Sequence, residues 1–169
     1  MNVVYLIRNF FNIHIMISIG QKAPSFTLIT TETNEVSLSD FSGKNLLLLF
    51  FPLAFTGVCT DELCAMRDSL AHYNDMNCEI VAISVDSPFT LAEFKKQNSL
   101  TFPLLSDFNA QACTAYHAKY EDFVLGLKNV AKRSAFIIDT AGIIQYAEVL
   151  EDAHDLPNFE AIKTIITSL

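Results

Sequence analysis

The feature that most constrains the fold is the unbroken apolar run LLLLFF at residues 46–51. A strand with large apolar side chains on both faces belongs in the middle of a sheet that is covered on both sides. Pro52 ends the run, because it has no N–H group to donate to a neighbouring strand. A helical pattern begins soon afterwards, near Gly57. The sequence therefore predicts a buried central strand followed directly by a helix.

Other β-rich and helical segments alternate along the rest of the chain. Strands are predicted at residues 79–85, 134–139 and 143–149. The DTAG between the last two strands suits the turn of an antiparallel hairpin. Helices are predicted at residues 57–75, 90–98, 110–118 and 158–168. This alternation is typical of an α/β fold with a central mixed sheet flanked by helices. No repeat or linker divides residues 16–169, so we predict a single domain.

Composition limits the partners that this chain can bind. The 169 residues include 11 Lys and Arg against 19 Asp and Glu, which gives a net charge of -8. No basic stripe interrupts the acidic surface, so the sequence argues against a nucleic-acid partner. A hydrophobic fraction of 51% is typical of a folded globular domain.

Residues 1–15 allow two interpretations. They are apolar, but Arg8 and His14 interrupt them and no small-x-small cleavage pattern follows. Either Met16 is the natural start and residues 1–15 are upstream sequence, or they form a weak anchor or presequence. Neither a spanning helix nor a signal peptide is predicted, so we expect no stable membrane insertion and a cytoplasmic location.

The four cysteines direct attention to thiol chemistry. They lie at Cys59, Cys64, Cys78 and Cys113 and form no C-x-x-C pair, which argues against a structural zinc site. Cys59 falls in the first turn of the predicted helix, where unpaired N–H groups and the helix dipole favour a thiolate. The thiolate is the reactive form of cysteine, so this position indicates a nucleophile.

Neighbouring residues complete a pocket around Cys59. Pro52 can cover the sulfur without competing for hydrogen bonds, because it has no N–H group. Thr56 can turn its hydroxyl toward the sulfur or toward a bound oxygen. The N–H groups of Val58 and Cys59 can face an anion or a polarised oxygen. Together these groups suit a small, oxygen-rich electrophile.

The pattern Pro52-x-x-x-Thr56-x-x-Cys59 resembles the signature of the peroxiredoxins, which are thiol peroxidases with a thioredoxin-like fold. Further segments look like later landmarks of that family, in the family's order: GQKAPSFTL, ISVDSPFTLAEFKK, FPLLSD and AKRSAFIIDTAGII. The resemblance extends over about residues 17–169. It implies that this chain has a thioredoxin-like fold.

The resemblance also implies roles for individual residues. Cys59 would be the peroxidatic cysteine, which becomes a sulfenic acid when it reduces hydrogen peroxide or an organic hydroperoxide. Arg133 matches the family's active-site arginine, and Glu62 matches a supporting acidic position. Neither a metal nor an organic cofactor is implied, and a homodimer is expected.

Cys64 leaves two mechanisms open. Five residues of helix separate it from Cys59, which places the Cα atoms about 8 to 9 Å apart, beyond the reach of a disulfide. Peroxiredoxins of the bacterioferritin-comigratory type have a resolving cysteine at this spacing and unwind the helix start. A thioredoxin-like reductant would then open the disulfide. However, FFPLAFTGVC looks closer to the AhpE-like branch, in which an external low-molecular-weight thiol or glutaredoxin can reduce a single cysteine.

Two functions of another class remain as alternatives. A thiol-disulfide exchange protein can share the broad fold, but the missing C-x-x-C argues against it. A holdase module would use the fold and not the cysteine, so it predicts that Cys59→Ser leaves function unchanged.

Overall fold

A seven-stranded mixed sheet forms the centre of the protein. The computed structural model describes residues 17–169, so both interpretations of residues 1–15 lie outside the described residues. The strands are β1 (Thr27–Thr30), β2 (Glu35–Ser37), β3 (Asn45–Phe50), β4 (Cys78–Ser84), β5 (Leu104–Ser106), β6 (Ser134–Ile138) and β7 (Ile144–Val149). Their order across the sheet is β2-β1-β5-β4-β3-β6-β7. The LLLLFF strand therefore lies inside the sheet, as predicted.

Both parallel and antiparallel pairs occur in this sheet. β3 and β5 run parallel to β4, whereas β6 runs antiparallel to both β3 and β7. The DTAG turn between β6 and β7 forms the predicted hairpin, in which Gly142 has a φ of 80°. Asp139 accepts hydrogen bonds from the N–H groups of Ala141 and Ile143 at 2.9 Å. β5 was not predicted, because its three residues are too few to show an alternation of apolar and polar side chains.

Within residues 17–169, four helices flank the sheet: α1 (Gly57–Asp75), α2 (Pro88–Gln97), α3 (Gln111–Ala115) and α4 (Phe159–Thr167). Three of them agree closely with the predicted segments. α3 is shorter than the predicted segment 110–118, because His117 adopts a left-handed φ of 51° that a helix cannot continue through. Two short 3₁₀ turns, Leu38–Phe41 and Val124–Gly126, lie in the loops.

The alternating side chains of β3 supply two hydrophobic cores. Leu47 and Leu49 face one side of the sheet, where α1, α2 and α4 pack against it. Leu46, Leu48 and Phe50 face the other side, where α3 and the N-terminal segment pack. All five side chains are buried, which agrees with the unbroken apolar run of this segment. Within residues 17–169 no helix is both long and apolar enough to cross a membrane.

Candidate active site

Cys59 lies at the carboxyl end of the central strand, in the first turn of α1. The loop between β3 and α1 is fixed by Asp86, whose Oδ2 accepts a hydrogen bond of 2.7 Å from the N–H group of Ala54. Phe55 bends the loop with a φ of 64°, a left-handed conformation that is unusual for an aromatic residue. The fold thus places Cys59 at the start of a helix, after a short and well-anchored loop. Only 1% of the residue is exposed.

Thr56 occupies the N-cap of α1 without capping the helix through its side chain. Its hydroxyl instead donates a hydrogen bond of 2.9 Å to the carbonyl oxygen of Leu53. The hydroxyl therefore does not point its proton at the sulfur, although its oxygen can still accept a hydrogen bond. The backbone N–H groups of the first helical turn are left for a bound oxygen atom, where the helix dipole is positive.

Arg133 reaches Cys59 from the neighbouring strand. The antiparallel register pairs Phe50 with Ser134, so the start of β6 lies beside the end of β3. Arg133 therefore lies close to Cys59, and its Nη2 is 3.2 Å from the Cys59 Sγ. Although burial opposes the charged form of Arg133, the negative charges of Glu62 and Cys59 raise its pKa. The sulfur thus faces a permanently charged guanidinium.

Glu62 lies on the opposite side of the same guanidinium. Glu62 follows Cys59 by three residues, which places both side chains on one face of α1. Its Oε2 accepts a hydrogen bond from Arg133 Nη1, whereas Oε1 has no hydrogen-bond partner within residues 17–169. Burial raises the pKa of Glu62 to about 7 despite the opposing effect of Arg133. This carboxyl group therefore titrates near neutral pH.

A backbone carbonyl that the sequence could not single out completes the environment of Arg133. The carbonyl oxygen of Ala153 accepts hydrogen bonds from Arg133 Nη2 at 2.9 Å and from Nε at 3.3 Å. Every residue has a backbone carbonyl group, so no residue type marks this position in the sequence. Together with Glu62, it fixes the guanidinium plane beside the sulfur.

The sulfur lies beside a largely apolar pocket of about 810 Å³. Pro52 and Thr56 line one part of this pocket, together with the start of α1. Residues around Tyr120 and Phe123 form a second wall, and Asp152 and neighbouring residues form a third. Sequence analysis did not identify these two walls, because they come from loops without a chemical motif. The pocket admits a molecule larger than hydrogen peroxide.

Cys64 points to a different part of the molecule. It is half-buried, with its Sγ 3.8 Å from Arg67 Nη1 and 3.9 Å from Asn98 Oδ1, at the C-terminal end of α2. Arg67 Nη1 also donates a hydrogen bond of 2.7 Å to the carbonyl oxygen of Asn98. Both cysteines are free thiols and α1 is continuous between them. A Cys59–Cys64 disulfide therefore requires local unwinding of α1.

Comparisons with known proteins identify the family. Residues 19–147 match the model of the AhpC/TSA family. The chain belongs to this peroxiredoxin family. It is 40% identical to alkyl hydroperoxide reductase E of Mycobacterium tuberculosis over 137 residues, which cover 79% of this chain and 86% of that protein. The mitochondrial thioredoxin-dependent peroxide reductase of Bos taurus is 37% identical over 150 residues, 83% of this chain and 55% of that protein.

A solved structure agrees as well. The crystal structure of peroxidoxin BcpB from Mycobacterium tuberculosis superposes with a TM-score of 0.80 at 25% identity, over 90% of this chain and 98% of that chain. Peroxiredoxins are thiol-dependent peroxidases, and the sheet with its flanking helices is the thioredoxin-like fold of that family. The peroxiredoxin described here therefore reduces hydroperoxides with a thiol.

Proposed function

We propose that Cys59 is the thiol of this peroxidase that attacks the hydroperoxide. The observation that carries the proposal is the contact of 3.2 Å between Cys59 Sγ and Arg133 Nη2 inside a buried site. The Cys59 thiolate forms a bond to the terminal oxygen of the hydroperoxide while the O–O bond breaks. The leaving oxygen takes the electron pair and a proton and departs as water or an alcohol, and Cys59 becomes a sulfenic acid.

The other site residues stabilise charge in this step. The electron pair moves from the sulfur to the leaving oxygen, so hydrogen-bond donors near the peroxide lower the barrier. Arg133 and the first N–H groups of α1 are such donors, and Glu62 holds Arg133 in place. Thr56 can accept a hydrogen bond from the hydroperoxide while Pro52 shields the sulfur from solvent, because both residues line the pocket.

For the second half of the cycle we propose that Cys64 resolves the sulfenic acid. Its thiolate would attack the Cys59 sulfur, form a disulfide and release the sulfenic oxygen as water, and a thioredoxin-like reductant would reduce the disulfide. The first two turns of α1 must unwind for this, which breaks the Glu62–Arg133 ion pair and exposes Leu63, now fully buried. Helix ends open at lower cost than helix centres, which supports unwinding at this position.

A one-cysteine cycle is the alternative, and the direction of Cys64 favours it. The Cys64 thiol contacts Arg67 and Asn98 and not the pocket. The pocket of about 810 Å³ can admit an external low-molecular-weight thiol, or the tip of a glutaredoxin, to the Cys59 sulfur. In this cycle the external thiol attacks the sulfenic acid and a second thiol reduces the mixed disulfide.

One oxidation experiment distinguishes these cycles. The reduced protein is mixed with one equivalent of hydrogen peroxide, blocked with an alkylating reagent and digested without a reductant for mass spectrometry. A Cys59–Cys64 disulfide supports resolution by Cys64. A trapped sulfenic acid at Cys59 with a free Cys64 supports the one-cysteine cycle. If neither product forms, or if Cys59→Ser reduces peroxide as fast as the wild type, Cys59 is not the peroxidatic thiol.

We further propose a cytoplasmic homodimer. Exposed aromatic side chains occur at the active-site end of the sheet, where Phe55, Phe89 and Phe108 are 51%, 75% and 67% exposed. Large exposed aromatic residues are typical of protein interfaces. Four unpaired cysteines among the described residues suit a reducing compartment. Sedimentation of the wild type and of Phe89→Ser tests the dimer, which the substitution should weaken.

A further inference from the structure

The segment 151–155, which provides the Ala153 carbonyl group, lies on the surface of the protein. None of its residues is buried, and the first buried residue after it is Pro157. Its turn is stabilised internally, since Asp152 Oδ1 accepts hydrogen bonds of 2.8 Å from the N–H group and Nδ1 of His154. These bonds shape the segment without attaching it to the domain. Something else must hold the Ala153 carbonyl group beside Arg133.

Polar contacts provide that attachment. Within residues 17–169, the hydrogen bonds that connect this segment to the rest of the domain come from Arg133, Lys132 and Tyr120. Lys132 Nζ lies 2.6 and 2.7 Å from the two carboxylate oxygens of Glu151. The Tyr120 hydroxyl donates a hydrogen bond of 3.0 Å to the Glu151 carbonyl oxygen. Arg133 is the side chain that the segment positions. The contacts from Lys132 and Tyr120 therefore attach the segment to the domain independently of Arg133.

Strand pairing explains why consecutive residues hold the same segment. β7 ends beside the start of β6, and the N–H group of Leu150 donates a hydrogen bond of 2.9 Å to the Arg133 carbonyl oxygen. Neighbouring residues of an extended chain place their side chains on opposite sides. Arg133 therefore reaches the segment from the buried side, and Lys132 reaches it from the surface. Lys132 also lies over the Tyr120 ring, 5.5 Å from the ring centroid.

We propose that Lys132 and Glu151 are positioning residues for peroxide reduction, because their ion pair fixes the segment whose Ala153 carbonyl group holds Arg133 against Cys59. This inference rests on the proposed role of Cys59 and Arg133. Two N–H groups of Arg133 are committed to the Ala153 oxygen, so a displaced segment leaves the guanidinium free to turn away from the sulfur. The pair acts through Arg133, although Glu151 also lines the pocket beside the sulfur.

The test compares a neutral, a conservative and a charge-reversed version of the pair. Lys132→Met removes the charge and keeps the aliphatic stem, and Lys132→Arg keeps the charge. The double variant Lys132→Glu with Glu151→Lys restores the pair with opposite polarity. Lys44→Met is the matched control, because Lys44 forms a similar surface ion pair with Glu79 on another part of the sheet. For each variant, rapid quenching with an alkylating reagent gives the second-order rate constant for oxidation of Cys59 by hydrogen peroxide.

We expect Lys132→Met to lower this rate constant about three- to five-fold, since Glu151 is largely exposed and exposed pairs are weak. Lys132→Arg and the double variant should restore at least half of the loss, and Lys44→Met should match the wild type. Added salt should slow the wild type toward the Lys132→Met value and leave Lys132→Met nearly unchanged. Melting temperatures of all variants report separately on the fold.

Two outcomes would overturn the proposal. Equal rate constants for Lys132→Met and the wild type would show that the ion pair does not position Arg133. A loss in Lys132→Met that neither Lys132→Arg nor the double variant restores would show that the charge pair is not responsible. A failure of the proposed function looks different, because Cys59 would then remain unoxidised in the wild type itself.

Discussion

The helix α1 contains two cysteines, and each has an arginine beside it. Arg133 Nη2 lies 3.2 Å from Cys59 Sγ, and Arg67 Nη1 lies 3.8 Å from Cys64 Sγ. The two sites differ in burial. The Arg133 side chain is 1% exposed and is held on two sides, whereas the Arg67 side chain is 31% exposed and pairs with the exposed Asp68. The same residue types thus create two very different electrostatic environments.

Burial, and not the presence of an arginine, distinguishes the candidate catalytic thiol. Charges interact more strongly in a buried site, because little water screens them. Burying Arg133 with Glu62 also costs free energy, and Glu62 Oε1 remains without a hydrogen-bond partner among residues 17–169. A domain that needed only stability would do better with apolar residues at these positions. The arrangement is more easily explained by catalysis.

The largest expected effect comes from removing the buried arginine. Arg133→Met should lower the rate constant for Cys59 oxidation about 100- to 1000-fold, as loss of a donor to the developing charge does in other enzymes. Rapid quenching with an alkylating reagent measures this step, and Arg67→Met is the matched control. Because Arg133→Met leaves Glu62 buried without its partner, Arg133→Met combined with Glu62→Gln checks that the loss does not reflect unfolding. A loss below about three-fold in the folded double variant would contradict the assigned role of Arg133.

A second prediction separates the two thiols by the step that each serves. Cys64→Ser should leave the oxidation of Cys59 by one equivalent of peroxide unchanged, because Cys64 is not among the residues that line the pocket. Turnover with a thioredoxin-like reductant should be lost, and excess peroxide should convert Cys59 to a sulfinic acid. Steady-state assays and intact-protein mass spectrometry measure both effects. Unchanged turnover in Cys64→Ser would instead support the one-cysteine cycle.

The sequence predicted the elements that carry Cys59 better than the contacts that hold Arg133. The strand at residues 45–50 and the helix at 57–75 are local patterns, and the structure contains both. Cys59, Glu62 and Arg133, which the family resemblance singled out, lie in contact in the structure. The sequence did not predict the contacts of the Ala153 carbonyl group or the Lys132–Glu151 pair, because the positions of these groups depend on the register of β6 and β7. That register shifts at an irregularity between Ile137 and Ile138, which no periodicity reveals.

A third prediction uses pH to test the cost of the buried pair. Burial raises the pKa of Glu62 to about 7 in the folded protein, from an ordinary value of 4.5. Between these values the folded state binds more protons at Glu62 than the unfolded state does. The contribution of Glu62 to the free energy of unfolding therefore falls as pH rises from about 4.5 to about 7, and it is constant above that range.

Glu62→Gln should remove this part of the pH dependence. Urea titrations of the wild type and of Glu62→Gln at several pH values between 4.5 and 8 measure the difference. The free energy of unfolding of the wild type, relative to the variant, should decline up to about pH 7 and then level off. Glu93→Gln is the control, because Glu93 is an exposed glutamate on α2. A relative stability that rises with pH would mean that Arg133 outweighs burial and lowers the pKa of Glu62.

The smallest expected effect concerns the exposed arginine. Arg67→Met should change the rate constant of Cys59 oxidation by less than about two-fold, because a half-exposed charge is screened by water. Alkylation of Cys64 by iodoacetamide should slow by about three-fold, since a guanidinium 3.8 Å away stabilises negative charge on that sulfur. Peptide mapping after timed alkylation measures both thiols in one sample. If Arg67→Met slowed Cys59 oxidation as strongly as Arg133→Met does, burial would not distinguish the two sites.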